Sequence, residues 1–307
     1  MPVKFLVRGN CPAIVTPFTA SGEIMIDAYQ ALVRWHLDQH VDGICVAGDN
    51  GESWSLSTEE RRQLAAATVK IAGGRVPVVM GVSTTTAKQT IAYAEAAASA
   101  GVDALMIGPQ SYVMKATTQE LVQRMAAVHR AVPLPIVLYN SPRRTNVSLT
   151  IESMRALTEA VNIIALKEAS RDFFYLTHVI RDFADKLAVM VGPAPFILPG
   201  LAMGAAGFIS SGPELLDGVA ATLVQLAAAP PTPRLRETQY RLTRVYETLM
   251  TLGTWPAALK AGHRLIGHDA GMPREPVLPL EAEGVGVLEG VLRDCGVPLA
   301  SQRLAAE

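Results

Sequence analysis

"VNIIALKEAS", residues Val161 to Ser170, places five apolar side chains in the six positions before a lysine. A run this short and this apolar reads as a strand buried on both faces. Of the seven lysines in the chain, only Lys167 closes such a run. Similar runs recur along the first two-thirds of the chain: "AIVTP" (13–17), "GICVAG" (43–48), "VPVVMG" (76–81), "DALMIG" (103–108), "PIVLYN" (135–140), "IIALKE" (163–168), "LAVMVG" (187–192) and "AGFISS" (206–211). Between them lie stretches with apolar residues at i, i+3 and i+4, among them Met25–Gln39, Thr58–Ala72, Ala87–Ala100 and Gln119–Ala131. Apolar strands alternating with amphipathic helices predict a parallel sheet covered on both faces.

Eight such units predict an α/β protein, a closed (β/α)8 TIM barrel, for which about 250 residues are typical. A doubly wound open sheet is the alternative, but no G-x-G-x-x-G or Walker sequence occurs to support it. From about Leu226 the pattern is helical only, with "PPTP" at 230–233 as a hinge and a second break at Gly271–Pro279. We therefore expect a barrel over residues 1–225 and a C-terminal helical appendage over 226–307.

At 307 residues, with 50% hydrophobic and 18% charged residues and a net charge of −1, the chain has the means for a large core. It shows no basic patch suited to nucleic acid. The low charge fraction points to surface covered by another subunit. Cys11, Cys45 and Cys295 are few and scattered, so buried free thiols in a reducing cytoplasm are expected. The opening "MPVKFLVRGN" does not read as a secretory signal. Residues Leu187 to Pro213 carry no charge and are long enough to cross a bilayer. Four prolines and five glycines within them favour a buried strand–helix–strand instead.

In a βα-barrel the chemistry gathers where strands end and βα loops begin, so polar residues at C-terminal strand ends become candidates. Lys167 meets this condition best. Burial of a lysine there disfavours the ammonium and favours a neutral amine able to attack a carbonyl. A lone strand-end lysine that snorkels outward is the competing reading. Tyr139 ends the preceding run, and adjacent strands lie about 5 Å apart, so a phenol and an amine would bracket one small substrate. The following "NSPRRTN", 140–146, puts Arg144 on the loop above the mouth, where it would clamp a carboxylate or remain solvated.

The stretch "AGDNGESWSLSTEE", 47–60, pairs Gly48 and Gly51 with the expectation of positive φ and close backbone approach. Ser57 and Glu60 form an S-x-x-E capping box for the next helix. Amides on such a turn make a nest for a carboxylate. His36 and His40 have metal-pair spacing but no third ligand, and read as surface histidines near the bottom of the barrel; no metal is expected. No G-x-S-x-G serine motif is present.

Together these residues carry a resemblance. "AIVTPF" (13–18), G-x-x-G-E (48–52), YN-x-P-x-R-T (139–145), "ALKEAS" (165–170) and "GAAGFIS" (204–210) resemble, in order and spacing, the dihydrodipicolinate synthase / N-acetylneuraminate lyase family of Schiff-base aldolases. The resemblance spans essentially the whole chain. It implies that Lys167 forms an imine with a small-molecule 2-oxo acid, usually pyruvate, and that Tyr139 transfers protons. It also implies that the turn at Asp49 and Asn50 holds the keto-acid carboxylate through its amides, that Ile209 lines the cavity, and that Arg144 meets a second substrate's carboxylate. Such proteins are usually tetramers built as dimers of dimers, and need no cofactor.

The chain departs from the synthase pattern at Asp49 and Asn50, where the synthases carry two threonines, the first a relay hydroxyl. Asn50 is similar to the 4-hydroxy-2-oxoglutarate aldolase branch. The relay tyrosine lent by a neighbouring subunit would fall on Tyr112, displaced or within an insertion. Lys88 stands where regulated synthases carry a glutamate that binds feedback lysine, which argues against lysine inhibition by that route. The expectation is a synthase-like lyase condensing pyruvate with an aldehyde-acid. The alternatives are a 4-hydroxy-2-oxoglutarate or deoxy-sugar-acid aldolase or dehydratase and, from another class, a non-catalytic binding barrel.

Overall fold

The structure, a computed structural model, describes residues 7–300; residues 1–6 of the opening stretch and 301–307 of the tail lie outside the described residues. The described residues form eight strands: β1 (Gly9–Asn10), β2 (Ile44–Val46), β3 (Val78–Gly81), β4 (Ala104–Ile107), β5 (Ile136–Asn140), β6 (Ile163–Glu168), β7 (Ala188–Val191) and β8 (Gly207–Phe208). Each hydrogen-bonded pair is parallel, and the order runs β1-β8-β7-β6-β5-β4-β3-β2. A parallel bridge from Ala13 to Cys45 lays the segment after β1 against β2, so the curled sheet returns to its start. This is the arrangement of a TIM barrel.

The first strand differs from expectation. It lies at Gly9–Asn10 rather than at 13–17, where only Ala13 keeps a ladder contact. Pro12 has no N–H to give, though its carbonyl accepts from the Cys45 amide at 2.9 Å. Beyond it the chain leaves the sheet, and the Thr16 hydroxyl donates to the Gly51 carbonyl at 2.9 Å instead.

The helices between strands follow the apolar spacing closely. Ile26–Asp38, Thr58–Ala72, Ala87–Ser99 and Thr118–Ala131 each lie within a residue of the predicted limits. Ser57 and Glu60 form the anticipated capping box, and Thr117 and Glu120 form a second. The uncharged stretch 187–213 resolves into β7, a short helix Ile197–Ala202 and β8. Among the described residues no helix is long and apolar enough to cross a membrane. After residue 226 come helices Pro233–Thr251, Ala257–Leu265 and Ala282–Asp294.

The strand period of two sorts the core into two layers. Ile136 and Leu138 of β5 pack outward against the helices, whereas Val137 and Tyr139 point into the barrel with Cys45, Met106, Ala165 and Met190. The same alternation sends Lys167, two residues beyond Ala165, to the inside at the top of β6. All three cysteines are free and buried.

His36 corrects the surface reading. It is buried on the core face of its helix with Tyr29, Leu32 and Val33. Its ring lies 4.5 Å from that of Trp35 and 6.2 Å from that of His263, centroid to centroid. Burial, then the nearby His268, pushes it down to about 3, so it is neutral. His40 lies past the helix end, exposed, at φ +55.

Candidate active site

The register that sets β5 beside β6 pairs Tyr139 with Lys167. Their side chains emerge on the same face, and the Lys167 Nζ lies 4.6 Å from the centroid of the Tyr139 ring. Lys167 is 6% exposed and has no carboxylate within ion-pair distance among the described residues. Lys260, also buried, differs in this respect: it is paired with Glu52, both side chains fully buried. Lys167 is thus a buried lysine above an apolar barrel interior, with no carboxylate paired to it. Below it the Cys11 and Cys45 thiols are pushed up by burial, Cys45 to about 11, and stay protonated at neutral pH.

Tyr139 donates its phenol hydrogen to Asp49 Oδ2 at 2.9 Å. Burial, then the charge of Asp49, hold the phenol well above its ordinary value. The same Asp49 oxygen accepts from Arg144 Nε at 2.9 Å. Asp49 therefore points into the mouth, paired with a cation. Arg144 reaches it from a helical turn, Pro142–Thr145, that follows β5.

The glycine turn is built differently from expectation. Positive φ falls on Ala47 (+50) and Glu52 (+54), while Gly48 and Gly51 have no such angle. Gly51 serves close approach instead, since a Cβ there would stand 3.1 Å from the Ile14 carbonyl oxygen. Gly81 does the same from β3, where a Cβ would meet the Ala47 oxygen at 2.2 Å. Within the turn, the Asp49 and Asn50 amides donate to no acceptor among the described residues, which leaves them open to an anion.

The Asn50 side chain braces the mouth. Its Nδ2 donates to the Ala13 carbonyl at 2.7 Å, and its Oδ1 accepts from the Ser211 hydroxyl at 3.0 Å, so it spans from β2 to the segments following β1 and β8. Ile209, fully buried after β8, lines a cavity of about 250 Å³ together with Lys167, Tyr139 and Asp49. A neighbouring cavity of about 510 Å³ shares Asp49, Tyr139 and Arg144 but does not reach Lys167. Tyr112 is not in the Lys167 cavity of its own chain: it is 92% exposed, on a loop where its φ is +73.

Several contributors were not singled out from the sequence. Glu168 and Asn140 face away from the cavity, where Asn140 Nδ2 donates to Glu168 Oε2 at 2.6 Å and the Ser170 amide donates to Oε1 at 2.7 Å. They lock the ends of β5 and β6; strand alternation from Lys167 and Tyr139 would have flagged them. Arg143, Arg171, Tyr246 and Trp255 also line the Lys167 cavity. Tyr246 and Trp255 come from the C-terminal helical region, which no local sequence signal ties to a barrel mouth. Glu52 anchors the Asp49 turn from below, accepting from the Arg274 amide at 2.8 Å and pairing with Lys260, which also donates to the Met272 carbonyl at 2.7 Å.

At the mouth of this parallel barrel, where strands end, a buried lysine without a carboxylate partner stands beside a phenol. The model of the dihydrodipicolinate synthetase family matches residues 6–294, and the chain belongs to that family. It is 33% identical over 273 residues to the 4-hydroxy-tetrahydrodipicolinate synthase of Exiguobacterium sibiricum, covering 89% of this chain and 92% of that one. It is 31% identical over 299 residues to the enzyme of the same name from Synechococcus elongatus, covering 97% and 99%. Among solved structures, dihydrodipicolinate synthase from Aquifex aeolicus superposes with a TM-score of 0.88 at 28% identity, over 95% of this chain and 99% of that chain. A chloride-inhibited dihydrodipicolinate synthase from Acinetobacter baumannii, complexed with pyruvate, matches with the same TM-score, identity and coverage.

Proposed function

We propose that the protein is a Schiff-base lyase that condenses pyruvate, or a related 2-oxo acid, with an aldehyde-acid, in the manner of the synthases it is similar to. The observation that carries this reading is Lys167: buried, without a carboxylate partner, and registered beside Tyr139 at the mouth of the barrel. The amine adds to the C2 carbonyl and water leaves, giving a protonated imine. That imine withdraws electrons from C3, a C3 proton is lost, and the resulting enamine attacks the aldehyde carbon. Tyr139 carries protons to and from the reacting atoms, with Asp49 as its hydrogen-bond acceptor. The open amides at Asp49 and Asn50 hold the keto-acid carboxylate, and Ile209 closes the apolar side of the cavity.

A second reading, an aldolase on 4-hydroxy-2-oxoglutarate or a related hydroxylated oxo acid, uses the same imine and is favoured by the pairing of Arg144 with Asp49, which occupies the arginine that would meet the aldehyde-acid. The full assembly of this reading is a cytoplasmic homotetramer in which residues 226–307 form an appendage on the barrel and Tyr112 projects toward a neighbouring subunit. The exposure of Tyr112, Val113 and Met114 on one loop supports that last point.

Borohydride reduction in the presence of pyruvate tests the chemistry. A mass adduct on the peptide carrying Lys167, absent in Lys167→Ala, is the expected result. No adduct with any of several 2-oxo acids overturns the reading in favour of a non-catalytic barrel. If the adduct forms, condensation with aspartate semialdehyde measured against cleavage of 4-hydroxy-2-oxoglutarate separates the two readings.

A further inference from the structure

Arg144 already gives its Nε to Asp49. Two other arginines line the Lys167 cavity, Arg143 and Arg171. Neither has a carboxylate within ion-pair distance among the described residues. The cavity therefore carries more positive charge than its single carboxylate, Asp49, neutralises.

Of the two, Arg171 is the one the fold fixes in place. It follows Lys167 by four residues, and its φ is +66, a region that side chains other than Gly, Asn and Asp occupy at a cost. Its guanidinium donates to the Tyr246 hydroxyl at 3.1 Å and lies 5.2 Å from the centre of that ring. Tyr246 belongs to helix Pro233–Thr251 and lines the same cavity. An unfavourable backbone angle together with a two-point hold from a distant helix sets a planar cation at the rim above the nucleophile. Such a fork matches a carboxylate bidentately.

We propose that Arg171 is a specificity-determining residue that binds a carboxylate at the far end of the substrate, and that Tyr246 positions it. The substrate class is then a 2-oxo acid, or an imine-plus-aldehyde adduct, with a second carboxylate distal to the reacting carbon. The near carboxylate sits on the Asp49–Asn50 amides, the carbonyl carbon meets Lys167, and the distal group meets Arg171. Arg144 stays with Asp49. This inference rests on the imine reading above.

The test compares borohydride trapping by 2-oxoglutarate with trapping by 2-oxopentanoate, which has the same chain length but no distal charge. In the unsubstituted protein half-maximal labelling of Lys167 is expected at about tenfold lower 2-oxoglutarate, the scale of one charge-assisted hydrogen bond. Arg171→Gln removes that preference and leaves 2-oxopentanoate labelling unchanged. Arg171→Lys keeps part of the preference, Tyr246→Phe weakens it, and Arg144→Gln retains it. Arg171→Gly suits the positive φ, so its melting temperature does not fall, which separates lost recognition from lost folding. Equal labelling by the two acids in the unsubstituted protein, or a preference that survives in Arg171→Gln, overturns the proposal while leaving the imine chemistry standing. Absence of labelling by both acids and by pyruvate overturns the imine reading itself.

Discussion

One oxygen of Asp49 holds the guanidinium of Arg144 at 2.9 Å while accepting the Tyr139 phenol at the same distance. The carboxylate is thus a junction between a phenol and a guanidinium.

Replacing that charge changes ligand occupancy. Asp49→Asn keeps the shape and a hydrogen-bond acceptor but removes the negative charge. Pyruvate labelling of Lys167 should then reach half-maximum at about tenfold lower concentration, worth about 1.4 kcal/mol. The gain should shrink as salt is raised. An unchanged or weakened response would mean that the Arg144 pairing already neutralises Asp49 completely.

Tyr139→Phe should separate imine formation from proton transfer. Turnover is expected to fall by about 10²–10⁴-fold, the usual contribution of a positioned acid or base. Lys167 should still be labelled by pyruvate, since the amine is untouched. Single-turnover and trapping measurements on one preparation check this; equal loss of both would show that the ring chiefly holds Lys167 in place.

Buried His36 gives an acid-side dependence of stability. Burial first, and His268 second, depress it to about 3. An unfolded histidine titrates near 6.5. Between those values the unfolded chain binds the extra proton, so stability is intact above about pH 6.5 and declines as pH falls, by up to about 1.4 kcal/mol per pH unit from this group. Melting temperatures of His36→Leu should fall less steeply between pH 6.5 and 4 than those of the unsubstituted protein.

The Glu52–Lys260 pair is fully buried. Burial pushes Lys260 down to about 8, against the opposing pull of Glu52. Lys260→Met alone should cost about 3–5 kcal/mol because it strands a buried carboxylate, whereas Glu52→Gln combined with Lys260→Met should cost much less than the sum of the single changes. Denaturant unfolding of the single and double variants decides this. Additive losses would mean the two residues act separately.

The fold was legible because burial writes itself into sequence period. Continuous apolar runs marked the strands, and i, i+3, i+4 spacing marked the helices to within a residue. The displaced first strand follows from Pro12, whose missing N–H was visible but whose partner strand was not. His36 could have been placed correctly, since it continues the buried 29, 32, 33 series of its own helix. The i, i+4 spacing with His40 competes with that stripe as a signal. Lys167 and Tyr139 were readable because both end strands. The Asp49–Arg144 pair, the Tyr246 hold on Arg171 and the Glu52–Lys260 pair each join segments far apart in the chain, and no local pattern encodes such meetings. At Gly48 and Gly51 the sequence pattern suggests positive φ, but their small size serves packing and the strained angles fall on Ala47 and Glu52.

The contact between Glu52 and Lys260 bears on how the polypeptide can be divided. The cation that satisfies the Glu52 carboxylate, at the end of the turn carrying Asp49, is supplied by a helix beyond residue 226. A barrel severed there would carry a stranded negative charge in the turn that holds Asp49. Helix Ala257–Leu265 is therefore tied to the turn at the mouth, and exchange of C-terminal segments between relatives would have to carry both halves of this pair together.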